Sequence, residues 1–237
     1  MVIFDERRIL CYDRGVKSIR ERHMQTEIVL VRHGQSMGNL VRRFLGHTDL
    51  DITELGYQQA EQVALALAQQ AKPDAIISSD LLRAFHTAEA IAKKWDMTVQ
   101  LELGLREIYA GEWEGLPFDQ IKSKYADSYN RFCFDMGLAH PDGGESCAAL
   151  RTRAKKTLDR IVTQYKGGRV VLVSHAALIC MLCSDILGLS LEEVPKLGLC
   201  ENASITTIVH DENGYRLVTY GDPSHLGEYR TKRPPLS

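Results

Sequence analysis

Short aliphatic runs bounded by polar residues punctuate the chain and read as strands. Residues 28–31 are four apolar, mostly β-branched side chains, the signature of a strand buried on both faces. Residues 75–78, 98–101 and 169–173 repeat that pattern. Residues 204–210 and 215–220 read as paired strands joined through Asn213-Gly214, a dipeptide suited to a hairpin turn.

Between these runs the apolar spacing turns helical. Thr53 reads as an N-cap, followed by an amphipathic segment through Ala68 that Lys72-Pro73-Asp74 breaks. Ser79 or Asp80 can cap a second helix with Leu81, Leu82, Phe85, Ala88 and Ile91 as its core face. Helical spacing returns at residues 118–125, and the stretch to His140 is aromatic-rich and irregular before Pro141-Asp142-Gly143-Gly144. A long helix is predicted from Ser146, with Leu150, Ala154, Leu158, Ile161 and Val162 inward, ending at Gly167-Gly168. Residues 176–189 read as a buried helix. This alternation predicts a single three-layer α/β/α domain with a mostly parallel central sheet over residues 26–222. Residues 1–25 form an N-terminal extension of unknown role (an arm, a frayed tail or a dimer contact), and residues 223–237 a loose tail.

Composition narrows the function classes. With 237 residues, 44% of them hydrophobic, there is material for one sizeable core. A formal charge of −2 gives neither a nucleic-acid nor an anionic-membrane footprint, so an anionic substrate requires a local cationic pocket. No apolar run is long enough for a membrane span, and the N-terminal stretch lacks an apolar signal core, so a cytoplasmic protein is expected. The six scattered cysteines read as reduced thiols. Cys180 and Cys183 form a C-x-x-C inside the apolar helix, where packing is favoured over a metal or redox site.

Candidate chemistry sits at the carboxyl ends of predicted strands, where open α/β sheets bind ligands. The first strand runs into Arg32-His33-Gly34, with Gln35, Ser36 and Asn39 beyond. An Arg offers a fork of donors matched to phosphate, and a His a ring nitrogen able to attack or to carry protons. Arg83 follows the second strand near a helix start, where free N–H groups and the helix dipole favour an anion. An Arg there is, taken alone, more often a solvated surface residue. Val173-Ser174-His175-Ala176 repeats the design seen at His33: strand, polar residue, His, helix. Three carboxylates in residues 105–115, Glu107, Glu112 and Glu114, compete for a proton-donor role.

Arg32-His33-Gly34 with Asn39, the S-x-L-x-R-x-x-x-T-A arrangement around Arg83, the L-R-E-x-x-x-G-x-W-E-G segment and Ser174-His175 occur in the order of the histidine phosphatase (phosphoglycerate-mutase-like) superfamily, which the chain resembles over about residues 28–220. Two weaker likenesses are Gly144-Glu145-Ser146 with Arg153, and the turn from Asp49 to Gly56. The resemblance implies His33 as nucleophile, Glu107 as proton donor, and Arg32, Asn39, Arg83 and His175 as the phosphate-binding set, with no metal and no cofactor. Gln35 stands where the family more often has Glu, and Gly38 where it often has an aromatic, changes expected to act on the substrate side of the pocket.

The implied reaction is hydrolysis of a small phosphorylated metabolite through a phosphohistidine. Only 68 residues separate Glu107 from His175, which fits the short phosphatase branch. The alternatives are a 2,3-bisphosphoglycerate-dependent mutase and a catalytically idle member acting as a binding protein. A P-loop and a G-x-G-x-x-G are both absent, which argues against a nucleotide-binding protein. No nucleic acid or membrane partner is expected, and a homodimer stays open. The substrate's non-phosphate part is expected to meet residues 111–130 and 132–141. His86 is assigned a surface or supporting role.

Overall fold

In the computed structural model, residues 25–231 are described. The aliphatic runs are continuous because both faces of the sheet are covered. In β1 (Thr26–Arg32), Ile28 and Leu30 enter one hydrophobic core, while Val29 and Val31 enter another on the opposite face. In β4 (Arg169–Ser174), Val170 and Leu172 divide from Val171 and Val173 in the same way. β2 (Ala75–Ser78) and β3 (Val99–Leu101) extend the parallel part, and β5 (Ile205–Asp211) with β6 (Gly214–Asp222) adds an antiparallel hairpin. The strand order is β3-β2-β4-β1-β5-β6. The hairpin turns at Gly214, whose φ of +97° is one that side chains rarely adopt.

Among the described residues seven α-helices complete the layers: α1 (Met37–Leu40), α2 (Glu54–Ala68), α3 (Leu82–Lys93), α4 (Phe118–Lys124), α5 (Ala126–Phe134), α6 (Cys147–Gln164) and α7 (Ala176–Ile186). Val63, Leu67, Ala84, Ala88 and Ile91 carry α2 and α3 onto one face of the sheet. Leu150, Leu158, Leu178 and Met181 carry α6 and α7 onto the other. Thr53 and Ser146 cap α2 and α6 as expected. The three-layer α/β/α fold with a mostly parallel sheet is the one predicted.

Several local expectations are corrected. Neither Ser79 nor Asp80 is the N-cap of α3; Leu82 N–H donates instead to Asp49 Oδ1 at 2.8 Å, while Asp80 pairs with Arg106. Leu82 is exposed and Phe85 half-buried, and the inward face of α3 runs through Arg83, Ala84, Thr87, Ala88 and Ile91. Two polar residues replace two apolar ones on that face because they serve the site. The stretch read as irregular contains α5, whose Tyr129 and Phe132 lie three apart and pack together on Trp113. The first part of the expected loose tail is ordered: residues Ser224–Tyr229 form a 3₁₀ turn with Leu226 buried, and Gln59 Nε2 donates to Tyr229 O and Thr231 Oγ1. The expectations for residues 1–24 and 232–237 lie outside the described residues.

Cys180 and Cys183 are buried within α7, and burial pushes the Cys180 thiol up to about 12, as core packing requires. Among the described residues no helix is long and apolar enough to cross a membrane.

Candidate active site

β1 and β4 are parallel neighbours, with Arg32 opposite Ser174. The next residues, His33 and His175, therefore leave the sheet side by side. His33 N–H donates to Ser174 O at 2.9 Å, and the two ring centroids stand 5.1 Å apart. β2 lies on the other side of β4, so Ser79 arrives beside His175. The Ser79 hydroxyl is 2.9 Å from His175 Nε2, and Arg83 follows from the first turn of α3. Sheet topology thus closes the 142-residue gap between the two histidines.

The imidazoles are wired differently. His33 Nδ1 lies 2.6 Å from Gly34 O, and a carbonyl only accepts, so Nδ1 carries the proton and Nε2 the lone pair. His175 Nδ1 is buried without a hydrogen-bond partner among the described residues. Burial, then the guanidiniums of Arg83 and Arg32, holds His33 well below the usual histidine range. Burial, Arg83, His33 and Arg32 do the same to His175. Both rings are neutral at physiological pH. Gly34 also permits a close approach of two segments: a Cβ there would lie 2.5 Å from Gly56 O.

Two cations supply the field. Arg32 is buried and donates from Nη1 to Cys200 O at 2.6 Å. Arg83 is 1% exposed and donates to Thr48 O and Gly46 O at 2.9 and 2.7 Å, which aligns its fork. Burial lowers Arg83 to about 10 against the opposing pull of Glu107, Asp49 and Glu114, so it stays charged at neutral pH. Asn39 completes the ring. Its Oδ1 accepts from Ser36 N–H, Ser36 Oγ–H and Asn202 Nδ2 at 3.1, 3.0 and 3.0 Å. Three donors on the oxygen settle the amide orientation and leave Nδ2 as the donor end.

The three competing carboxylates separate cleanly. Glu107 lines the same cavity as His33, Arg32, Arg83 and Asn39. Its oxygens accept from Ala177 N–H and Leu178 N–H, both at 3.1 Å, at the start of α7 immediately after His175. Glu114 instead braces two loops by accepting from His47 N–H, Thr48 N–H and Ala110 N–H at 2.7, 2.7 and 2.9 Å. Glu112 is exposed. The cavity measures about 130 Å³. The His33 imidazole, the Arg32 and Arg83 guanidiniums, the Asn39 amide and the Glu107 carboxylate thus line it, with the buried His175 ring beside that of His33, a set able to hold a phosphoryl dianion, attack it and exchange a proton beside it. Among the described residues no group of three or more His, Cys, Asp or Glu is placed to hold a metal ion.

Residues 28–223 match the family model described as histidine phosphatase superfamily, branch 1. The chain belongs to the histidine phosphatase superfamily. It is 35% identical over 205 residues to phosphoglycerate mutase-like protein 4 of Arabidopsis thaliana, spanning 85% of this chain and 87% of that protein. It is 32% identical over 203 residues to the metal-independent phosphoserine phosphatase of the same plant, spanning 85% and 83%. The structure of Bacillus stearothermophilus YhfR superposes with a TM-score of 0.81 at 28% identity, covering 85% of this chain and 99% of that one. Family, fold and enzyme class expected from the sequence agree with these relatives.

For a histidine phosphatase the supporting residues are as informative as the reacting ones, and sequence reasoning missed most of them. Asn202 is buried, and its Nδ2 reaches His33 O, Gly34 O and Asn39 Oδ1 at 3.3, 3.4 and 3.0 Å. No motif flagged it. Thr87 accepts from Gly34 N–H at 3.1 Å. Arg153, noted only through its likeness, donates to the carbonyls of Gly104, Arg106 and Glu107 and pairs with Glu145, holding the Glu107 segment. His47 Nε2 binds Glu107 O at 2.8 Å. Gln35, expected on the substrate side, instead accepts from Thr53 Oγ1 at 2.9 Å and is not among the cavity-lining residues. His86 pairs with Asp51 near the surface. Within the turn from Asp49 to Gly56, Asp49 caps α3 and Thr53 caps α2.

Proposed function

We propose that the chain is a phosphomonoesterase acting on small phosphorylated metabolites through a phosphohistidine on His33. The observation that carries this reading is the convergence of His33, Arg32 and Arg83 on one small cavity, with the His175 ring centroid 5.1 Å from that of His33. Neutral His33, its Nδ1–H anchored on Gly34 O, attacks phosphorus through Nε2. Arg32, Arg83, Asn39 Nδ2 and His175 surround the nonbridging oxygens, where charge spreads in a loose transition state. The Glu107 carboxyl, in its acid form, passes a proton to the leaving alkoxide. The resulting carboxylate then takes a proton from the water that splits the P–N bond, releasing phosphate and restoring both groups.

Magnitudes decide where most of the acceleration comes from. Monoester hydrolysis calls for up to ~10²¹-fold acceleration, and one acid–base group contributes about 10²- to 10⁴-fold. The charged, water-poor cage must supply much of the remainder.

The cytoplasm is the proposed location, and a homodimer is compatible with this reading. Phosphate release from a panel of phosphorylated metabolites tests it. Release by the wild type, its loss in His33→Ala and indifference to EDTA are expected. Fast isomerisation of 3-phosphoglycerate with 2,3-bisphosphoglycerate and little release would make the chain a mutase. Release from no monoester would leave a binding protein.

A further inference from the structure

The same cavity also has a lining of different chemistry. Phe44, Leu45, Phe118, Phe132 and Leu199 line it together with Arg43. Phe44 meets Phe118 and Phe132 edge-on at 6.0 and 5.1 Å, and Phe132 meets Trp113 at 5.9 Å, so the aromatic wall is braced from behind. These side chains come from the loop after α1, from α4, from α5 and from the segment before β5. Gly38 contributes by its lack of a side chain: a Cβ there would lie 2.4 Å from Leu45 Cγ, in the space that Leu45 fills.

We propose that this wall selects phosphomonoesters whose alcohol portion is apolar, over those whose alcohol carries a carboxylate or an ammonium group. The inference rests on the phosphatase reading above. A carboxylate placed here loses water against phenyl rings; among the described lining residues the cations are Arg32 and Arg83, assigned to the phosphoryl group, and Arg43, one of whose N–H groups is engaged with Gly115 O at 2.7 Å. An ammonium finds Glu107 as the one carboxylate in the lining among the described residues, the group assigned to proton transfer. An alkyl chain or ring, in contrast, exchanges water for carbon on several sides.

The test is kcat/KM for ethyl, propyl and butyl phosphate, whose leaving alcohols are of similar acidity, beside phosphoserine and 4-phosphooxybutanoate. Each methylene is expected to raise kcat/KM two- to fourfold, the upper figure being full burial of about one CH₂. Butyl phosphate is expected to exceed both charged esters at least tenfold. Phe132→Ser and Leu45→Asn should flatten the butyl-to-ethyl ratio, a quantity taken within one enzyme and so insensitive to a misfolded fraction. A flat wild-type series would overturn the proposal, as would preference for the carboxylate ester that Arg43→Gln removes. Release from no monoester at all would instead overturn the phosphatase reading beneath it.

Discussion

His33 and His175 share one local design, a buried strand followed by a polar residue, a histidine and a turn into helix, yet the structure gives them opposite connections. His33 spends Nδ1 on a backbone carbonyl, which fixes the tautomer and leaves a lone pair on Nε2. His175 instead engages Nε2 with the hydroxyl of Ser79, and its buried Nδ1 has no hydrogen-bond partner among the described residues. A carbonyl dictates where the proton sits; a hydroxyl can give or take and dictates nothing. What separates the two rings is the partner behind each one, and under the proposed function that partner marks His33 as the nucleophile. The residue type and its place at a strand end are common to both.

The largest effect separates the two rings. His33→Ala is expected to lower kcat/KM by on the order of 10⁴- to 10⁶-fold, because a group that forms the covalent intermediate acts as a unit with its surroundings. His175→Ala should cost about 10²- to 10³-fold, the range for losing one transition-state donor. Steady-state phosphate release measures both. Equal losses would mean that the two histidines are not divided as their bonding implies.

Glu107→Gln sharpens the account from the leaving-group side. A loss of about 10²- to 10⁴-fold is expected on alkyl phosphates, which need a proton donor. p-Nitrophenyl phosphate, whose phenolate leaves without one, should lose far less. Equal losses on both substrates would assign the carboxylate to position alone.

Asn202→Ala has a smaller predicted effect. One hydrogen bond to the Asn39 amide is worth about 1 kcal/mol, so a roughly fivefold weakening of vanadate inhibition is expected. Repeated in an Asn39→Ala background, the change should add little, since the acceptor of the Asn202 bond is already gone. Additive losses would place Asn202 elsewhere in the mechanism.

Both rings also write themselves into stability. Each is held below its ordinary value in the fold, so the unfolded chain takes up protons first as the pH drops. Their contribution is complete above about pH 6.5 and is lost below it, with a slope on the order of 1.4 kcal/mol per pH unit for each ring. Urea unfolding between pH 7 and 5 should show this, and His33→Gln with His175→Gln should reduce the slope.

Much of this was legible in the residues. The aliphatic runs at β1, β2 and β4 identified their strands because a strand buried on both faces leaves no room for polar interruption. His33, Arg83 and His175 stood out as candidates because they follow those strands closely. What escaped was whatever depends on distant partners. Asp49 caps α3 from a preceding loop, Asn202 reaches back to β1's end, and Phe132 joins Phe44 across the fold. No local spacing encodes such meetings. Arg83 shows the cost of a purely apolar template: of the expected α3 face, Leu81, Ala88 and Ile91 are buried, whereas Leu82 and Phe85 give way to Arg83 and Thr87.

The site of phosphorylation tests the central claim most directly. Enzyme mixed with substrate, quenched in alkaline denaturant within the first turnover and digested, can be mapped by mass spectrometry. The account predicts a phosphoryl group on His33, absent from His33→Ala and still formed, more slowly, by His175→Ala. A phosphoryl group on His175, or turnover with none on either ring, would contradict it.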